Sequence, residues 1–273
     1  MMNVDEDKCI GCGLCVKDCF VRDIELTDGK AKINNVTCFK CGHCVAVCPK
    51  NAVSSDEYNM EDVKDYNKEE FSIDAENLLN FIKFRRTIRH FKNKDVEVEK
   101  LSKIIEAGRF TQTGSNSQNV SYIVVREGID ELKAMALESL SYIGEDILSN
   151  LNEQTMPYKR YAQMWVNMYE NYKLNPNGKE SLFFNAPAVI LVVSDSPVNA
   201  SLASSNMELM TNALGLGTFF SGFFTRAAQG NKKMMDYLGI DKGKQIITCM
   251  VIGYPDIKYS RTVPRKDADI SWK

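Results

Sequence analysis

No stretch of this 273-residue chain is apolar enough over a long enough run to span a bilayer, so no helical membrane anchor is expected. Charge of one sign is missing as well. With 34 Lys and Arg against 36 Asp and Glu, the formal net charge of −2 offers no field for attracting nucleic acid or a membrane surface. The first eight residues are acidic and carry no apolar run, so no secretory signal is expected there. Dinucleotide-binding glycines are absent too: Gly215-Leu216-Gly217 follows a helical pattern and lacks both the third glycine and a trailing acid. Past residue 48, cysteine occurs once, at Cys249, which reads as a buried apolar residue rather than a reactive thiol. What remains is a 44% hydrophobic chain, long enough for a small module and one full domain.

The other eight cysteines are concentrated in two runs. Cys9, Cys12, Cys15 and Cys19, then Cys38, Cys41, Cys44 and Cys48, both follow C-x2-C-x2-C-x3-C. The close spacing lets one tight loop turn three thiolates onto three corners of a cube, while the fourth lies past a helical turn and points away. Cys9, Cys12, Cys15 and Cys48 are therefore assigned to one [4Fe-4S] cluster, and Cys38, Cys41, Cys44 and Cys19 to a second. The segments CIGCGLCVKDCF and CFKCGHCVAVCP align without a gap, each with glycine after its second cysteine, where a left-handed turn costs least. Between them, residues 24–27 and 32–36 flank Asp28-Gly29 as a small hairpin. Disulfides would need an oxidising compartment. Zinc favours paired CxxC motifs over a triplet crowded into one loop. His43 reads as a surface residue tuning the local field. This stretch resembles a bacterial two-cluster ferredoxin along its whole length, departing from it at Phe20, where that family has proline; the change loosens a turn and removes no ligand.

Three regions follow: a ferredoxin-like module over 1–55, an acidic linker over 56–76, and a second domain over 77–273. The linker is rich in Asp, Glu, Asn and Lys and reads as a solvated connector, or else as an acidic face that orients a redox partner. In the second domain Leu78, Leu79, Ile82 and Phe84 make an apolar helical stripe that leads into Arg85-Arg86-Thr87-Ile88-Arg89. Further helices are expected at 97–110, 129–143, 156–172, 199–214 and 232–238, and strands at 120–126, 188–193, 218–221 and 245–252. Strands and helices without strict alternation indicate an α+β domain, with helices packed on a mixed sheet. Tyr158, Tyr161, Trp165 and Tyr169 recur on one helix, as core or dimer contacts or as a substrate lid.

Four motifs in this domain carry a resemblance. Arg85-Arg86-Thr87-Ile88-Arg89, the loop Thr113-Gly114-Ser115-Asn116-Ser117-Gln118, the segment from Gly215 through Ser221-Gly222-Phe223, and Gly253-Tyr254-Pro255 with Arg261 and Arg265 match, in order, those of the FMN-dependent nitroreductase family. The resemblance implies a nitroreductase-like fold, helices around a mixed, mainly antiparallel sheet, beside the ferredoxin-type domain. It implies FMN held by Arg85, Arg86, Thr87, Arg89 and Arg265 around its phosphate, since planar guanidinium groups pair bidentately with such oxygens. Asn116 and Gln118 would face the isoalloxazine edge, and Phe220, Ser221 and Gly222 its other side. The family's Pro-Trp after the glutamine is replaced here by Asn119-Val120. Its glutamate is replaced by Ser221, which disfavours NAD(P)H as direct donor.

The expected function is an FMN-dependent oxidoreductase in which two [4Fe-4S] clusters relay electrons to or from FMN. A nitro compound, quinone or activated alkene would be the acceptor, and ferredoxin, flavodoxin or NAD(P)H the donor. The alternative is a non-catalytic electron carrier or redox sensor with a degenerate flavin domain. No catalytic side chain is assigned, because the flavin does the electron chemistry and water can supply the proton. By resemblance the protein is a homodimer. Oxygen-sensitive clusters place it in the cytoplasm of an anaerobe.

Overall fold

Short-range turn chemistry dominates the first 55 residues, and helices around an apolar sheet dominate the rest. The computed structural model describes residues 1–273 and divides into two units. The first is Met1–Asp74 with Thr113–Ser117, and the second Ala75–Gln112 with Gln118–Lys273.

In the first unit the chain runs β1 (Met2–Val4), α1 (Leu14–Asp18), β2 (Ile24–Thr27), β3 (Lys30–Ile33), α2 (His43–Ala46), β4 (Val53–Ser55) and α3 (Lys68–Phe71). The hairpin turns on Asp28-Gly29 with φ values of 50° and 76°, the left-handed pair that suits a two-residue connection. It closes so tightly that its second strand begins at Lys30, two residues before the start read from the sequence, and ends at Ile33. β1 and β4 pair antiparallel, Met2 opposite Ser55, and join the two ends of the repeat. At three residues each, they leave no periodicity to read. Residues 56–74 are mostly exposed and hold only α3 and a turn at Met60–Asp62.

The second unit contains α4 (Ala75–Phe84), α5 (Val98–Arg109), β5 (Ser121–Val125), α6 (Ile129–Ser149), α7 (Lys159–Leu174), β6 (Ala188–Ser194), α8 (Pro197–Ala213), β7 (Gly217–Phe220), α9 (Gly222–Ala228), α10 (Lys232–Tyr237) and β8 (Gln245–Gly253). The sheet order is β5-β6-β8-β7, antiparallel at every neighbouring pair; the parallel element is an isolated bridge between Thr87 and Thr218. Every residue of β6 is buried. Its side chains alternate between two cores, as the pleat requires. Val189, Leu191 and Val193 pack with Leu137, Trp165 and Phe224 from α6, α7 and α9. Ala188, Ile190 and Val192 pack with Ile104 and Met207 from α5 and α8. Cys249 is fully buried in β8. No helix is long and apolar enough to cross a membrane.

Two elements differ from the sequence reading. α6 continues to Ser149 because Leu140, Gly144 and Ile147 keep its buried face going past residue 143. α9 was not anticipated: Ser221 caps it by accepting from the Phe224 N–H at 3.4 Å, and its seven residues are too few to show a helical period.

Gly11 sets the sharpest backbone constraint in the first unit. Its φ is +66°, and a Cβ there would lie 2.1 Å from the Gly29 carbonyl oxygen at the hairpin turn. Gly11→Ala is expected to lose about 1–2 kcal/mol from the left-handed backbone alone, and more from the clash. Urea unfolding followed by circular dichroism checks this; an unchanged midpoint contradicts it.

Candidate functional site

In the first unit the repeat is visible in the backbone. Gly13 and Gly42, at φ of 74° and 75°, start α1 and α2 and turn the third cysteines, Cys15 and Cys44, into the interior. The fourth cysteines follow each helix. Arg22 N–H donates to the Cys19 carbonyl at 3.1 Å and Asn51 N–H to the Cys48 carbonyl at 3.3 Å. The turn is thus the same with Phe20 as with Pro49. One cavity is lined by Cys9, Cys12, Cys15 and Cys48. A second is lined by Cys38, Cys41, Cys44 and Cys19. Three cysteines of each set come from one loop and the fourth from the other repeat.

Backbone N–H groups point at the sulfurs. Ala31 donates to Cys9 and Asp23 to Cys19, both at 3.4 Å, while Lys40 donates to Cys38 and Ala52 to Cys48, both at 3.3 Å. The N–H groups of Ala31 and Gly11 hold the Cys9 thiol below its ordinary range. Burial pushes Cys15 up, and burial with neighbouring Cys38 and Cys41 pushes Cys44 up to about 11. Ionising the buried Cys15 and Cys44 calls for compensating positive charge, which bound iron would supply. No three or more His, Cys, Asp or Glu side chains converge on a single ion position; the cysteines line the two cavities instead. His43 is exposed and pairs with Asp18 at 3.1 Å.

In the second unit the arginine segment follows α4 and lies along β7. Arg85 Nη1 donates to Glu208 Oε1 at 2.6 Å. Glu208 is the one charged residue of α8. Burial raises its pKa, opposed by the Arg85 charge. Arg86 donates to the carbonyls of Lys83 and Arg85. Its buried Nε has no partner, nor does the buried Thr218 hydroxyl. Thr87 bridges to Thr218, and Ile88 N–H donates to the Thr218 carbonyl at 3.0 Å. The Arg89 guanidinium lies 5.6 Å from the centre of the Phe219 ring. Phe220 is partly exposed. The Ser221 hydroxyl donates to the Leu182 carbonyl at 3.0 Å, and a Cβ at Gly222 would meet open space.

The remaining expected residues lie elsewhere. Arg265 is exposed in the extended tail and donates to its neighbour, the Pro264 carbonyl. Residues 113–117 group with the first unit, where Asn116 Nδ2 donates to the carbonyls of Phe39 and Lys40 at 3.0 Å. Gln118 adopts a left-handed φ of 46°. On the aromatic helix Trp165 is buried and meets the Phe223 ring edge-on, whereas Tyr158 and Tyr161 are exposed. Glu208 and Thr218 were not singled out in the sequence. The signal for Glu208 was available, as a lone charge in an otherwise uncharged helix.

These features define a two-part redox protein, a cysteine-cavity module joined to an α+β domain. Residues 82–254 match the Nitroreductase family model and residues 1–49 the 4Fe-4S dicluster domain model. The chain belongs to the Nitroreductase family, a family of oxidoreductases, and carries an N-terminal ferredoxin-type domain. It is similar to an NADPH-dependent oxidoreductase of Staphylococcus aureus, 25% identical over 166 residues that make up 59% of each protein. It is 44% identical over 50 residues, 18% of this chain and 19% of the other, to one subunit of an ion-translocating oxidoreductase complex of Methanosarcina acetivorans. The chain thus spans 19% to 59% of the length of these curated relatives. A solved nitroreductase with bound FMN from Bacteroides fragilis superposes with a TM-score of 0.52 at 16% identity, covering 71% of this chain and 98% of that one. That likeness shows the fold.

Because the folded Glu208 pKa lies above its unfolded value, Glu208 binds its proton more tightly when folded. Its contribution to stability is therefore lost as pH rises from about 4.5 through the folded pKa. Glu208→Gln is expected to remove that slope, measured as urea midpoints across this range; parallel pH profiles for both proteins would contradict it.

Proposed function

We propose that this chain is an FMN-dependent oxidoreductase in which two [4Fe-4S] clusters relay electrons to or from the flavin. Its acceptor is a small organic molecule such as a nitro compound, a quinone or an activated alkene. The pair of four-cysteine cavities carries this reading. Cys9, Cys12, Cys15 and Cys48 would hold one cluster, and Cys38, Cys41, Cys44 and Cys19 the other.

Support for FMN comes from polar groups left without partners beside the arginines, Arg86 Nε and the Thr218 hydroxyl. Arg85 and Arg86 would hold the phosphate, with Thr87 adding a hydroxyl and Arg89, Phe220, Ser221 and Gly222 lining the flavin. The family resemblance also implies Asn116, Gln118 and Arg265, of which Asn116 groups with the first unit and Arg265 is exposed in the tail. When bound, FMN supplies the exchange between one- and two-electron chemistry. The chain's own residues bind and orient it. Arg85, paired with Glu208 in the structure, would hold the phosphate, and Ser221, tied to the Leu182 carbonyl, shapes the start of α9. No side chain is assigned as proton donor; water fills that role.

Reduced ferredoxin, flavodoxin or NAD(P)H is the donor, the last supported by the name of the Staphylococcus relative. A homodimer is supported by the helix α4 stripe, where Leu78, Leu79, Ile82 and Phe84 remain 40–48% exposed, and the cytoplasm of an anaerobe by the oxygen sensitivity of such clusters. Protein purified without oxygen should contain roughly eight iron atoms, as two four-iron clusters require, and one FMN per chain. Arg85→Ala should weaken FMN binding by about tenfold or more, in line with the ~1.5–3 kcal/mol of a charge-assisted hydrogen bond. Iron without flavin, even after FMN is added, would replace this reading with an electron carrier or sensor.

A further inference from the structure

The two halves of the repeat differ in charge at one buried position. Four residues after Cys19 stands Asp23; four residues after Cys48 stands Ala52. Both donate a backbone N–H to the preceding cysteine sulfur, Asp23 to Cys19 and Ala52 to Cys48. Each lines the cavity that its cysteine lines. Asp23 is 5% exposed. Its carboxylate accepts from the N–H groups of Val36 and Thr37 and from the Thr37 hydroxyl at 3.1–3.3 Å, immediately before Cys38. The opposite charge marks the other cavity, where the Lys30 ammonium donates to the Cys9 carbonyl at 2.7 Å and to the Glu6 carbonyl.

The geometry points to a built-in polarity between the clusters. Asp23 makes the cluster of Cys38, Cys41, Cys44 and Cys19 the harder to reduce, and Lys30 makes that of Cys9, Cys12, Cys15 and Cys48 the easier. This rests on the two-cluster reading above. Backbone N–H groups reach sulfur in both cavities, from Ala31 and Gly11 to Cys9 and from Ala52 to Cys48 in one, and from Asp23 to Cys19 and Lys40 to Cys38 in the other. Among the levers that set such potentials, local charge is the one that differs in sign between the halves. Negative charge disfavours the added electron and positive charge favours it. Near the second cavity Lys40 is paired with Glu57, and near the first Lys50 also lines the cavity. Asp23 and Lys30 act as positioning residues through the ligands they adjoin.

The test is a potentiometric titration of the full chain with dithionite, followed by electron paramagnetic resonance, with iron counted in every sample. The native protein should show two resolved one-electron steps. Asp23→Asn, which keeps the volume and an acceptor oxygen, should raise the lower step and leave the upper in place. Lys30→Gln should lower the upper step alone, so the opposite shifts assign the clusters. Two coincident native steps, or an Asp23→Asn variant with full iron and unmoved or equally moved steps, would overturn the polarity. Iron for fewer than two clusters in the native protein would overturn the two-cluster reading instead.

Discussion

The exchange of fourth cysteines between the two loops is the constraint on which the first unit depends. Neither loop lines a four-sulfur cavity alone, because the fourth cysteine of each repeat lines the cavity of the other. The halves must therefore fold together. β1 and β4 close the ends against one another, and the hairpin turn at Gly29 presses on Gly11 inside the first cysteine loop. The apolar core of this unit is small, made of Met2, Ile24, Ala31 and Val53 with the buried sulfurs of Cys15 and Cys44. A module of this size needs an internal staple, and the cysteine cavities occupy the place where one belongs.

The second unit depends on a sheet buried on both faces. β6 at its middle gives alternate side chains to two cores, so α6, α7 and α9 cover one side and α5 and α8 the other. This leaves β7 at an edge, where the segment from Thr87 runs alongside through a bridge to Thr218. Arg85 and Arg86 lie in the short link between the end of α4 and that bridge. Their positions follow from strand geometry on one side and the end of α4 on the other. Arg85 has its charge answered by Glu208, while Arg86 keeps an unpaired nitrogen. A doubly charged ligand suits this arrangement better than a neutral one.

Much of this was legible in the sequence because the informative signals were local. The cysteine spacing, the glycines at 13 and 42 and the Asp28-Gly29 turn each fix backbone geometry within a few residues. The amphipathic helices and the apolar run of β6 read out through their periods. The illegible parts depended on partners far along the chain. β1 and β4 pair across some fifty residues of sequence with three residues each, and α9 exists because Ser221 meets the Phe224 N–H and the Leu182 carbonyl. The pairing of Arg85 with Glu208 joins the end of α4 to α8, and no spacing rule points to it. Asp23 could be compared with Ala52 in the aligned repeat, yet its burial and its three donors emerge only in the folded loop.

The central claim is the crossed sharing of cysteines, and iron content in paired variants tests it most directly. One variant carries serine at Cys38, Cys41, Cys44 and Cys19, and the other at Cys38, Cys41, Cys44 and Cys48. Crossed sharing predicts a four-iron cluster in the first variant, where Cys9, Cys12, Cys15 and Cys48 survive, and its loss in the second. A four-iron cluster in the second variant but not in the first would contradict it.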